Sequence, residues 1–212
     1  MTVTLLIIIV TSIISYLALQ NPEMLQKLKH FPYQEKRARE YYRMLSGGFV
    51  HGSLLHLIIN MYILFMFGEQ IERYFDTLYG ENIGRIVFVV MYPLNIIAAS
   101  IPTYFKNRDH MQFASVGASG AVSGLLFIFI AIRPWYPLQF IFLPFIDIPA
   151  IVIGIGYLIY SSYASRQNRG RIDHMAHFYG AIFGVAFLWL TKPSMFLLFL
   201  DRLVNDFSKY YF

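Results

Sequence analysis

Gly117-Ala118-Ser119-Gly120 opens an apolar run that continues to Ile132. A serine between glycines at that point supplies a hydroxyl at membrane depth, where packing alone seldom needs such a pattern. Two further polar clusters, His56 with Asn60 and His174 with His177, fall in two other apolar stretches. Three polar clusters inside three apolar stretches describe a membrane protein with one internal polar site.

Composition supports the membrane class. Of 212 residues, 57% are hydrophobic and only 14% charged, whereas a soluble domain carries about 25% charge. Six apolar stretches divide the chain: Val3–Leu19, Phe49–Ile71, Ile83–Ile101, Ser115–Ile132, Leu138–Tyr160 and Asp173–Leu190. Each approaches the ~20 residues with which a helix crosses ~30 Å of hydrocarbon. The expected fold is therefore all-α, with six transmembrane helices and residues 1–212 forming one membrane domain. Pro144 and Pro149 predict a fifth helix that starts late or bends. The first stretch lacks a basic leader and a small-x-small cleavage site, so it is read as a helix rather than a signal peptide.

The loops carry the charge. The net charge is +5 and cysteine is absent. Basic residues between apolar stretches suit lipid head groups better than nucleic acid. Without cysteine there is no disulfide, thiol nucleophile or thiolate metal site. The loop Asn21–Gly48 mixes six Lys and Arg with Leu25, Phe31, Tyr41 and other apolar residues. That mixture predicts an interfacial segment, with rings towards lipid and charges towards water. The connection Arg133–Pro137 is very short. The tail from residue 193 to 212 is expected to form one interfacial helix.

By parity, the second, fourth and sixth helices start on the same side of the membrane. His56, Asn60, Ser119 and His177 then lie roughly 6–15 Å below that surface at 1.5 Å per residue. Ser119 can attack a carbonyl if a base takes its proton. His177 can be that base, because imidazole titrates near neutrality. His56 and Asn60 share a helix face at i, i+4. With the backbone N–H of Ser119, they can donate to the oxyanion of a tetrahedral intermediate. Gly120 and Gly124, like Gly180 and Gly184, are four apart, which lets two membrane helices pack closely.

These motifs resemble the rhomboid family of intramembrane serine proteases. The resemblance spans about residues 40–190. Gly117-Ala118-Ser119-Gly120 is similar to the family's GxSG motif, which implies Ser119 as nucleophile. Ala176-His177 with Gly180 and Gly184 is similar to its sixth-helix motif, which implies His177 as base. The run from His51 to Asn60 is similar to its second-helix motif. This implies oxyanion stabilisation by His56 and Asn60 with Ser119 and Ala118, and support from Gly117, Gly120, Gly180 and His51. Glu72 resembles the acid at the far end of that helix. Tyr42-Arg43 stands where the family has Trp-Arg. Ser123 departs from relatives that place an aromatic ring one turn after the serine, so the imidazole is expected to be oriented otherwise or more loosely.

The resemblance implies cleavage of transmembrane protein substrates near a helix end, with no cofactor and no metal. Its six-helix form is similar to bacterial members, which implies a bacterial inner membrane, with an organelle as the alternative. The fifth helix is a candidate lateral gate, and the first and fifth loops a cap over the site. A catalytically inactive relative that binds membrane clients is the competing reading. A metal site on His51, His56, His174 and His177 is a weaker one, since no His-Glu-x-x-His stretch is present. Asp173 and His174 read as ordinary interfacial residues, His51 as structural, and Glu72 with Arg73 as helix-end caps. The resemblance implies a cytoplasmic amino terminus. Yet 11 of 17 Lys and Arg lie in the three loops this puts outside, and the positive-inside rule points the other way. The oligomeric state and natural substrate are not legible in the sequence.

Overall fold

The computed structural model describes residues 1–140, 143–167 and 173–211. Among these residues, eleven α-helices, one 3-10 turn (Gly47–Phe49) and one short hairpin follow in order. Helix α1 spans Val3–Gln20, and three short helices follow: α2 (Pro22–Leu28), α3 (Pro32–Ala38) and α4 (Arg43–Ser46). Then come α5 (Leu54–Tyr79), α6 (Glu81–Asn107), α7 (Ser119–Ile132), β1 (Pro137–Phe140), β2 (Leu143–Pro149), α8 (Ala150–Gln167) and α9 (His174–Thr191). Helices α10 (Ser194–Asn205) and α11 (Phe207–Tyr211) close the described chain. The protein is thus an all-α polytopic membrane bundle. By length and composition α1, α5, α6 and α9 can each cross a membrane, while α7 and the apolar part of α8 are shorter.

The centre is α7. Twelve of its fourteen residues are buried, and it packs against α5, α6, α8 and α9. A helix apolar all round must be surrounded by protein or lipid. At 14 residues it is only ~21 Å long, so one end lies below the surface of a ~30 Å core. Its first residue is Ser119, not Ser115, and the preceding residues are non-helical.

Helices α7 and α9 touch backbone to backbone. A Cβ on Gly180 would sit 2.1 Å from the Gly120 carbonyl oxygen, and one on Gly184 2.4 Å from that of Gly124. The paired glycines therefore meet as their spacing predicts, and no other residue fits.

The loop Asn21–Gly48 folds into short helices rather than a tether. Arg43 is buried at its centre. It donates to the Gln26 carbonyl and the Glu40 carboxylate, each at 2.6 Å, and its guanidinium lies over the Tyr42 ring. At the far end of the bundle, Glu72 accepts from the backbone N–H groups of Val3 and Thr4 and from the Thr4 hydroxyl. It caps the start of α1, so its role there is structural.

Three expectations are corrected. The fifth apolar stretch does not start as a helix at Leu138. It opens as the antiparallel hairpin β1–β2, and the helix begins at Ala150. Pro144 stands near the start of β2 and Pro149 at its end, so both precede the helix and neither bends it. The third helix runs on to Asn107 despite Pro93 and Pro102 within it. The tail forms two helices, α10 and α11, which dock on the end of α7 through Trp135 donating to the Leu203 carbonyl and Arg202 to that of Ile132.

Candidate functional site

Each reactive group lies in the first turn of its helix. Ser53 caps α5, its hydroxyl accepting from the His56 N–H at 3.2 Å. Asp173 caps α9, accepting from the Ala176 N–H at 3.0 Å. A side-chain oxygen at the N-cap satisfies a donor the helix cannot. Ser119 is the first residue of α7. Its own N–H and that of Gly120 have no intrahelical acceptor, so both are available to an anion.

The Ser119 hydroxyl lies 2.6 Å from Nε2 of His177. The two residues are 58 positions apart in sequence, and the glycine contact of α7 with α9 brings them together. An imidazole nitrogen at that distance can take the hydroxyl proton as the oxygen attacks.

Gly117 faces the ring of His56. A Cβ at that position would lie 2.7 Å from His56 Cε1 and 3.0 Å from Nε2. Its φ of +119° also excludes ordinary side chains. His56 therefore stands against the backbone just before Ser119. Asn60, buried one turn along, donates from its amide to the His56 carbonyl at 2.9 Å. Among the described residues, the other proton of that amide has no partner.

The segment before Ser119 is clamped by the first loop. Ser115 N–H donates to the His30 carbonyl and Gly117 N–H to the Gly47 carbonyl, both at 2.9 Å. His51, wholly buried, joins the clamp. Its Nε2 accepts from the Ala118 N–H at 3.3 Å, and its Nδ1 lies 3.1 Å from the Ser15 hydroxyl. Since Nε2 accepts, the ring proton is on Nδ1 and goes to Ser15. His51 thus ties α1 to the segment before Ser119, a structural role.

Asp173 and His174 are not ordinary interfacial residues. The Asp173 carboxylate also accepts from Thr103 at 2.9 Å and Ser115 at 3.0 Å. It joins α6, the segment before Ser119 and the start of α9. His174 is buried and packs edge-on against His177, with ring centroids 5.8 Å apart. Sequence reasoning missed this because both residues stand at a helix start, where polar side chains are common.

The His177 ring is not left loose by Ser123. The ring of Tyr157, from α8, stacks on His177 with centroids 6.0 Å and planes 20° apart. Its hydroxyl is 2.6 Å from the Ser123 hydroxyl. No local pattern marks Tyr157, because its partner lies on another helix. Of the fifth loop, residues 168–172 lie outside the described residues, and with them that half of the expected cap.

An all-α membrane bundle with a serine–histidine pair below one surface defines the class. The rhomboid domain family model matches residues 38–194, and the chain belongs to the rhomboid family. It is 26% identical over 162 residues to Rhomboid-like protein 11, chloroplastic, of Arabidopsis thaliana, covering 72% of this chain and 53% of that protein. It is 31% identical over 127 residues to Rhomboid protease GlpG of Haemophilus influenzae, covering 58% and 60%. A third relative, Presenilin-associated rhomboid-like protein A, mitochondrial, of Danio rerio, is 26% identical over 160 residues, covering 68% and 36%. The chain thus spans between about a third and three fifths of the length of these relatives.

Proposed function

We propose that the protein is an intramembrane serine endopeptidase that cuts transmembrane protein substrates through a Ser119–His177 dyad. The observation that carries this is the 2.6 Å contact between the Ser119 hydroxyl and His177 Nε2, at the half-buried start of α7. Ser119 Oγ attacks the scissile carbonyl carbon while His177 Nε2 takes its proton. The proton passes to the leaving amine, the C–N bond breaks, and an acyl-enzyme remains. Water, deprotonated by His177, then releases the acid and restores the serine.

The oxyanion donors are the Ser119 N–H, the His56 ring and the free amide proton of Asn60. Ala118 contributes none, since its N–H is given to His51. The reaction needs no cofactor. A substrate helix must unwind at the cut, because its amides are otherwise hydrogen-bonded, and small or helix-breaking residues there lower that cost. The multi-pass protein resides in a bacterial inner membrane on this reading. Relatives named as chloroplastic and mitochondrial make an organelle membrane the alternative.

The deciding experiment is cleavage of a generic transmembrane substrate in liposomes by wild type, Ser119→Ala and His177→Ala. Cleavage by wild type alone supports the dyad. Cleavage by Ser119→Ala refutes it. A folded wild type that cuts nothing favours a protein that binds membrane clients without cutting them.

A further inference from the structure

His177 has, among the described residues, one side-chain hydrogen bond, to Ser119. The nearby Asp173 carboxylate is occupied by Thr103, Ser115 and the Ala176 N–H. No carboxylate therefore orients the imidazole, and ring contacts must do so. The broad contact is the face of Tyr157, within the range of offset-stacked aromatic pairs.

Tyr157 is itself tied to the nucleophile. Ser123 Oγ donates to the Ser119 carbonyl at 2.7 Å. A serine hydroxyl has one proton, so Tyr157 is the donor in its 2.6 Å bond to Ser123. A relay runs from the Tyr157 hydroxyl through Ser123 to the backbone of Ser119. The small side chain at position 123 leaves the space that the ring of Tyr157 enters from α8.

Helix α8 is pinned at one end. The N–H groups of Ala150 and Ile151 donate to the carbonyls of Tyr136 and Pro134 at 2.9 and 2.8 Å. Beyond the pin, α8 leans on α7 and α9. Val152, Ile155 and Ile159 face outward, and a Cβ on Gly156 would meet nothing within 4 Å. Tyr157 lies seven residues past the pin, ~10 Å along the axis, so a ~10° tilt of α8 moves it by ~2 Å.

We propose that Tyr157 is the positioning residue of His177, so that alignment of the dyad depends on the seating of α8. This rests on the protease reading above. A substrate helix that displaces α8 loosens the base, and reseating α8 restores it. Catalysis is thereby confined to the closed arrangement.

The test measures kcat and KM on a transmembrane peptide in liposomes. Tyr157→Leu keeps the buried bulk and loses the flat ring; its kcat falls about 100-fold, as a ~1 Å misplacement of a catalytic group costs. Its KM stays within about threefold of wild type, as for an interaction made only in the transition state. Tyr157→Phe keeps the ring and loses one neutral hydrogen bond, so it drops about tenfold at most. The swap Ser123→Tyr with Tyr157→Ser returns a ring to His177 from α7 and recovers at least about tenfold over Tyr157→Leu, the coupling expected of residues in contact. Unchanged kcat in Tyr157→Leu, a loss confined to KM, or Tyr157→Phe as slow as Tyr157→Leu overturns the proposal. Should Tyr157→Leu melt early, a folded swap variant that stays slow overturns it equally. A silent wild type sinks the protease reading instead, and this inference with it.

Discussion

At position 117 the chain has no alternative to glycine. The positive φ would cost another residue about 1–3 kcal/mol, and the added Cβ would strike the His56 ring. Gly117→Ala is therefore expected to lower the melting temperature in detergent and to cut kcat about 100-fold or more, since displaced catalytic groups lose that much. Wild-type cleavage by this variant would show that His56 need not stand where it does. On the proposed mechanism, His56→Ala removes one oxyanion donor and should cost about 10²–10³ in kcat at nearly constant KM. Ser119, His177, His56 and Asn60 were legible in the sequence, because polar residues inside apolar stretches are costly and rarely idle. Tyr157 and Asp173 were not. One is an aromatic among many, the other a carboxylate at a helix start, and only their partners on other helices distinguish them.

Between elements, the decisive contact is the meeting of α7 and α9. Gly184 touches the Gly124 carbonyl one turn below the Gly120–Gly180 contact. Gly184→Val forces the helices apart there and should separate Ser119 from His177. The expected result is loss of cleavage and of labelling by a serine-reactive fluorophosphonate, with helical content by circular dichroism retained. Full labelling would mean that the dyad survives without this contact. The glycine spacing announced the helix pair, since only small residues allow such approach in lipid. The hairpin β1–β2 was not announced. Its apolar, proline-bearing run of membrane-like composition reads as part of a helix until the pairing Leu138–Ile148 is seen.

Across the whole molecule, α8 packs on α7 and α9 and has no comparable contact with α5 among the described residues. On the protease reading, the side between α5 and α8 is the route by which a substrate helix would approach Ser119. The protein has no native cysteine, so a cysteine pair linking α5 to α8 can be introduced cleanly. Oxidation should abolish cleavage of a transmembrane substrate, and reduction should restore it. Cleavage by the oxidised form would argue against α8 as the gate. The surface loops are joined separately, by Lys36 donating to Asp109 at 2.6 Å. That hydrogen bond holds the Asp109 carboxyl below its ordinary value of 3.8. A depressed carboxylate stabilises the fold above the unfolded value and loses this as pH falls through the folded one. Melting scans from pH 5 down to about 2.5 should show part of the acid destabilisation vanish in Asp109→Asn, and shrink in high salt.

The sequence by itself determined the class and the apolar stretches, and it singled out the four polar residues of the candidate site. Burying a polar group in lipid is expensive, and the composition of a membrane chain records where that expense is accepted. Tertiary structure alone decided where α7 begins, which N–H groups are spoken for, and which helix supplies the ring beside the base. Those facts depend on contacts between segments far apart in the chain, and no local pattern encodes them. The stacking position left empty by Ser123 is filled by Tyr157, 34 residues away.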